Sequence, residues 1–98
     1  MIITTMATGR DTEYATELGA VAGAYPDGDE TRLERIRIKA TGEVEIRLSW
    51  WKHGRLIPRP LDIPVADFLE LVKAATLAGL LSARYEPEPP AASPPPHD

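Results

Sequence analysis

The chain has no cysteine and only two histidines, His53 and His97, far apart in sequence. Disulfides are therefore excluded, and two imidazoles cannot close a structural zinc site by themselves. Gly-rich phosphate loops, a serine elbow and a Cys/His pair are missing as well. The sequence thus argues against an enzyme, a cofactor or a metal. No run of about eighteen apolar residues occurs. The opening Met1-Ile2-Ile3-Thr4-Thr5-Met6 is too short, too polar and too poor in basic residues for a signal peptide. The expectation is a cytoplasmic protein with no membrane segment. An excess of positive charge is also lacking, since a net −4 and a pI near 5.1 ordinarily argue against nucleic acid.

The average hides an asymmetry. Between Thr31 and Pro60 eight basic residues (Arg32, Arg35, Arg37, Lys39, Arg47, Lys52, Arg55, Arg59) stand against Glu34, Glu43 and Glu45, a net +5 that leaves −9 for the rest. Such segregation points to a partner or to a well-solvated strand face. With 98 residues the chain has material for one domain. Residues 1–30 read as an acidic segment able to add a strand to a sheet. Residues 31–81 read as a hairpin-plus-helix domain, and residues 82–98 as a disordered tail. The tail holds six of the ten prolines and no large apolar residue from Glu86 onward.

Within the first segment, Thr12 to Tyr25 is weakened as a helix by Gly19 and Gly23, and the alternation Leu18, Ala20, Ala22, Ala24 favours a strand. Pro26-Asp27-Gly28-Asp29 reads as a turn. Asp27, Asp29 and Glu30 lack the glycine and spacing of a calcium loop and read as solvated. From Glu34 the period is two. Ile36, Ile38 and Ala40 alternate with Arg35, Arg37 and Lys39, and Val44, Ile46, Leu48 and Trp50 alternate with Glu43, Glu45, Arg47, Ser49 and Trp51. A three-residue loop, Ala40-Thr41-Gly42 with Gly42 at positive φ, makes the two patterns agree. It pairs Ile38 with Val44, Ile36 with Ile46, Lys39 with Glu43 and Arg37 with Glu45.

The same register sets Arg35 opposite Arg47. Two like charges repel there unless an anion sits over them, and Trp51 is two residues from Arg47 on the same face. Trp51 has two readings of comparable weight: a platform for an unpaired base, or a side chain covered by the N-terminal segment. His53, in the glycine turn Lys52-His53-Gly54-Arg55, has no partner in sequence to orient it as an acid or base and reads as a turn residue. Pro58 and Pro60 confine Leu56 to Leu61 to an edge strand or an extended connection. Pro64 opens a helix carrying Val65, Phe68, Leu69, Leu71, Val72, Ala75, Leu77, Leu80 and Leu81, with charge confined to Asp67, Glu70 and Lys73, and Gly79 marking its end. About two thirds of its circumference is apolar, more than one sheet needs. A two-fold dimer with Phe68, Val72 and Ala75 at the contact would bury the surplus.

The run Gly42-Glu43-Val44-Glu45-Ile46-Arg47-Leu48-Ser49-Trp50-Trp51, followed by a proline-containing strand and Asp62-Ile63-Pro64-Val65-Ala66-Asp67-Phe68-Leu69-Glu70-Leu71, resembles the core of the positive cofactor four family of transcriptional coactivators. The resemblance covers Arg32 to Leu80. It implies a dimer joined through the helices, whose curved antiparallel sheets bind single-stranded DNA. Carried over by position, the binding residues would be Arg35, Arg37 and Lys39 on the first strand, Arg47 and Trp51 on the second, and Lys52 and Arg55 at the turn. The family's glycine- and lysine-rich stretch before the last strand is replaced here by Arg55-Leu56-Ile57-Pro58-Arg59-Pro60. The expectation is an α+β fold, a small antiparallel sheet followed by a C-terminal helix and dimeric through that helix. It would bind single-stranded nucleic acid in a transcription-related role. The rival is a protein-interaction module, an adaptor or inhibitor, meeting an acidic protein partner.

Overall fold

The computed structural model describes residues 1–6 and 9–84. Its elements are β1 (Ile2–Met6), β2 (Ala15–Ala24), β3 (Asp29–Ile38), β4 (Val44–Lys52), β5 (Arg55–Ile57) and α1 (Val65–Leu77). The five strands form one antiparallel sheet in chain order, and the helix follows. The expected α+β class holds. The proline-rich tail from Glu86 lies outside the described residues.

The first thirty residues are integral to the sheet. Gly19 and Gly23 weaken β2 as a helix, and its small side chains let it lie between two neighbouring strands. Its register against β3 shifts between Glu17 and Gly19, so that Ala15 and Glu17 share a face with Ala20 and Ala22. The opposite face carries Val21 and, across from it, Leu33. There α1 packs, and Val21, Leu33, Leu71, Ala75 and Leu80 form the main core, with Ile3, Ile63, Val72 and Ala74 against it.

The β3–β4 register differs from the sequence expectation. Glu34 pairs with Arg47, Arg35 with Ile46, Ile36 with Glu45 and Arg37 with Val44. The loop has four residues, Lys39 to Gly42, closed by Ile38 N–H on Glu43 O (2.8 Å) and Gly42 N–H on Ile38 O (2.7 Å). Gly42 does take the left-handed conformation, φ +75°. The extra loop residue slides the strands by one. Ile36 therefore faces the same side as Glu45 rather than Ile46, and the pairings Ile36–Ile46, Ile38–Val44 and Arg35–Arg47 are not formed. This arrangement is tolerated because β3 is buried on both faces, so its charged residues are not simply its outer ones. Ile36 and Ile38 make a second small cluster with Ala15 on the face away from the helix.

Lys52 pairs with Arg55 across the two-residue turn His53-Gly54, both at positive φ, the geometry that follows the right-handed twist of a hairpin. The edge strand β5 covers only Trp50 to Lys52 of β4. The helix begins after Pro64 and ends in a Schellman motif: Gly79 N–H bonds Thr76 O, Leu80 N–H bonds Ala75 O, and Gly79 has φ +75°. Leu80 is thereby turned back into the core. Arg35 Nη1 donates to Leu80 O (2.9 Å) and Ser82 O (2.7 Å), tying that turn to the sheet.

Of the three residues expected at a helix-mediated dimer contact, Ala75 is fully buried against this chain's own sheet. Val72 is half-buried beside the same core, and Phe68 is half-buried. The helix packs on β1, β2 and β3. Its exposed apolar residues are Val65, Leu69 and Leu77.

Candidate functional site

Strand β4 differs at its two ends. Its C-terminal half enters a buried polar cluster on the face away from the helix. The register places Glu34, Arg47, Ser49 and Trp51 on that face, and the small Ala20 and Ala22 of β2 leave room beside them. Glu34 is wholly buried. Arg47 grips it from two nitrogens, Nε to Oε1 at 3.2 Å and Nη2 to Oε2 at 3.1 Å. Ser49 Oγ donates to Oε1 at 2.5 Å and accepts from Trp51 Nε1 at 2.9 Å. Arg10, from the N-terminal segment, reaches the other carboxylate oxygen at 3.5 Å.

Trp51 is 7% exposed. The guanidinium carbons of Arg32 and Arg10 lie 4.0 Å and 4.7 Å from its ring centroid, close enough for cation–π attraction. Arg32 is itself ion-paired to Glu30. The aromatic is thus covered by the N-terminal segment and by its neighbours, the second of the two readings the sequence allows.

The cluster holds a second carboxyl. Glu17 is buried beside Glu34. Burial first, then the Glu34 carboxylate that shares its proton, pushes Glu17 up to about 7. Burial acts on Glu34 in the same direction, but the hydrogen bonds from Arg47, Glu17 and Ser49 and the Arg47 charge outweigh it and hold Glu34 well below the carboxylate range. The arginines offset the carboxylate charge of the cluster. Among the described residues no group of three His, Cys, Asp or Glu side chains is arranged to hold a metal.

The other residues expected at a nucleic-acid surface are dispersed. Arg35 lies on the helix face, buried, and serves the turn after α1. Arg37 is exposed on that same face, near the β3–β4 loop. Lys39 pairs with Asp11 at 2.9 Å. Lys52 stands 3.8 Å from Asp29 at the far end of the sheet, with Arg55 exposed beside it. Arg47 and Trp51 do share a face, but they form a buried cluster rather than an open basic platform. Asp27 and Glu30 are partnered too, Asp27 by the Asp29 backbone N–H (2.9 Å) and Glu30 by Arg32. A cavity of about 280 Å³ near them is lined by Tyr25, Asp27, Asp29, Thr31, Trp50 and Asp62 among others. Tyr25 is held there by its hydroxyl donating to Asp67 Oδ2 at 2.7 Å.

The N-terminal half of β4 is the reverse. Val44, Ile46 and Leu48 lie on the helix face, beyond the reach of α1, and are 40%, 46% and 43% exposed. Ile38 and Glu43 pair through hydrogen bonds, so the alternation of an antiparallel ladder turns the N–H and C=O of Glu45, Arg47 and Ser49 towards β3. Those of Val44, Ile46 and Leu48 point the other way. Among the described residues no strand pairs with them there, since β5 stops opposite Trp50. A groove of about 450 Å³ opens at this stop, lined by Arg47, Leu48, Ser49, Ile57, Pro58 and neighbouring side chains. Sequence reasoning missed this site because it matched Val44 and Ile46 with Ile38 and Ile36 across the hairpin, a pairing that the register does not form.

Comparison with protein families, with curated proteins and with solved structures finds no match for the chain. Its function is therefore argued from this geometry.

Proposed function

We propose that the chain is a protein-interaction module that takes an extended segment of a partner onto the open edge of β4. The supporting observation is the coincidence on one strand of outward-pointing backbone groups at Val44, Ile46 and Leu48, unpaired among the described residues, with their exposed apolar side chains. An open strand edge is normally protected by charge, proline or a covering element. Here β5 and Pro58 protect only one end. Added strands gain affinity from main-chain hydrogen bonds and selectivity from alternate side chains. Burial of Trp51 takes away the aromatic platform on which the nucleic-acid reading relied, and this favours the protein-binding rival. The acidic partner imagined for that rival gives way to an apolar, strand-forming one.

The test compares two labelled probes by fluorescence anisotropy: an alternating valine–threonine heptapeptide and a single-stranded oligonucleotide. The Ile46→Pro variant is the control. Its ring removes only the outward N–H and leaves the β3 ladder intact, as edge prolines do. The peptide is expected to bind the native protein saturably and to lose that binding in Ile46→Pro, with the oligonucleotide showing no saturable binding. Equal peptide binding to both proteins, or saturable oligonucleotide binding with a steep salt dependence, would overturn the reading.

A further inference from the structure

We infer that the segment seated on β4 is β4 of a second copy, joined antiparallel about a two-fold axis through Ile46. This rests on the strand-addition reading and adds the identity of the partner. Charge and register point to this partner. A ladder on the open edge must pair outward-pointing residues with outward-pointing residues, Val44, Ile46 and Leu48 on each side. Symmetric registers that pair at least two of these residues from each copy with one another are three, with the axis at Glu45, Ile46 or Arg47. The first sets two glutamates face to face and the last two arginines, each repulsive.

With the axis at Ile46, the Ile46 residues face each other and Val44 faces Leu48 on the apolar side. On the other side Glu45 of each copy faces Arg47 of its mate. Glu45 is exposed, and the bonds to Glu34 engage Nε and Nη2 of Arg47, leaving guanidinium N–H groups for a cross-strand carboxylate. Both faces of the joint are therefore complementary in this register. Two five-stranded sheets become one of ten, and β5, which stops opposite Trp50, sets the limit of the shared stretch.

Because the chain has no cysteine, single introduced thiols read the register directly. Facing residues of a hydrogen-bonded pair have Cα atoms about 5.5 Å apart, within disulfide range. The two copies of Val44, or of Leu48, would stand roughly 13 Å apart, out of range. Under mild oxidation Ile46→Cys is expected to give a covalent dimer on a non-reducing gel. Val44→Cys and Leu48→Cys should each stay monomeric alone and cross-link when mixed. Glu45→Lys, a change at an exposed position, should weaken the dimer by roughly tenfold in sedimentation, through two new repulsive pairs.

Ready cross-linking of Glu45→Cys or Arg47→Cys in place of Ile46→Cys would overturn the register. A native protein that remains a 10.7 kDa monomer at hundreds of micromolar would overturn self-pairing. If the valine–threonine peptide still binds such a monomer in an Ile46-dependent way, strand addition stands and only the self-partner falls. If neither associates, both fall.

Discussion

At its Trp51 end β4 lies between β3 and β5, and the tryptophan is pressed against two arginines. At its Val44 end it has, among the described residues, one neighbouring strand, and three of its apolar side chains are exposed. The two ends differ little in hydrophobicity. What separates them is cover: the first is enclosed by the N-terminal segment and by β5, while the helix stops short of the second. The polar and aromatic groups at the Trp51 end are thus satisfied internally, while the aliphatic stretch stays exposed.

Substitutions on the two sides should separate sharply. In the covered region Leu71→Ala, at a fully buried position, should cost roughly 3–5 kcal/mol in urea unfolding. Ile46→Thr, measured at a concentration where the protein is monomeric, should change stability by less than about 0.5 kcal/mol. Similar losses in the two variants would mean that Ile46 is as buried in the monomer as Leu71.

Glu34→Gln tests the polar end. It removes the charge that Arg47 and Arg10 share and disturbs the Ser49–Trp51 relay, and a loss of about 3 kcal/mol is expected, the lower range for a broken buried pair because the arginines are partly solvated. An indole fluorescence spectrum shifted to the red should accompany it. A loss below about 1 kcal/mol would reduce the cluster to the standing of a surface ion pair.

The coupled carboxyls give this end a pH signature. Glu17, raised in the folded state, stabilises the protein while protonated; that contribution is full below the unfolded carboxyl range and is lost as pH rises towards 7. Glu34, lowered, contributes above the same range and loses its contribution as pH falls through its folded value. Stability should therefore peak near the ordinary carboxylate pKa, at about pH 4.5, and decline towards pH 7 by at most about 1.4 kcal/mol per unit. Glu17→Gln should flatten the decline between pH 5 and 7 in thermal unfolding. An unchanged slope would place the Glu17 proton elsewhere.

Gly79→Ala should have a smaller effect, about 1 kcal/mol. It forces a Cβ into the left-handed position that turns Leu80 into the core.

Much of this fold is legible in the residues. Period-two patterning marks β3 and β4, the proline and apolar spacing mark α1, and Gly42 and Gly79 mark the positions where the backbone turns left-handed. The register was not legible from hydrophobic matching, because β3 is buried on both faces and its isoleucines need not face those of β4. A usable signal was present all the same. The three-residue loop set Arg35 against Arg47, and that repulsion was evidence for a shift of one residue, which puts Glu34 there instead. Nor could alternation foresee that Glu34 is buried, since a carboxylate in a patterned strand reads as solvent-facing until its ligands, one of them Arg10 from a distant segment, are in place. The open edge was hidden for a related reason: the residues that look most like core are those the helix fails to reach.

Amide hydrogen exchange followed residue by residue at low and high protein concentration tests the central claim most directly. Glu45 and Arg47 amides, bonded to β3 in every state, should be protected at both concentrations. Ile46 and Leu48 amides, directed to the open edge, should exchange freely in dilute protein and become protected as concentration rises. Protection of Ile46 and Leu48 already complete in the dilute monomer would mean that the edge is closed within one chain. Free exchange at every concentration would mean that no second copy pairs there.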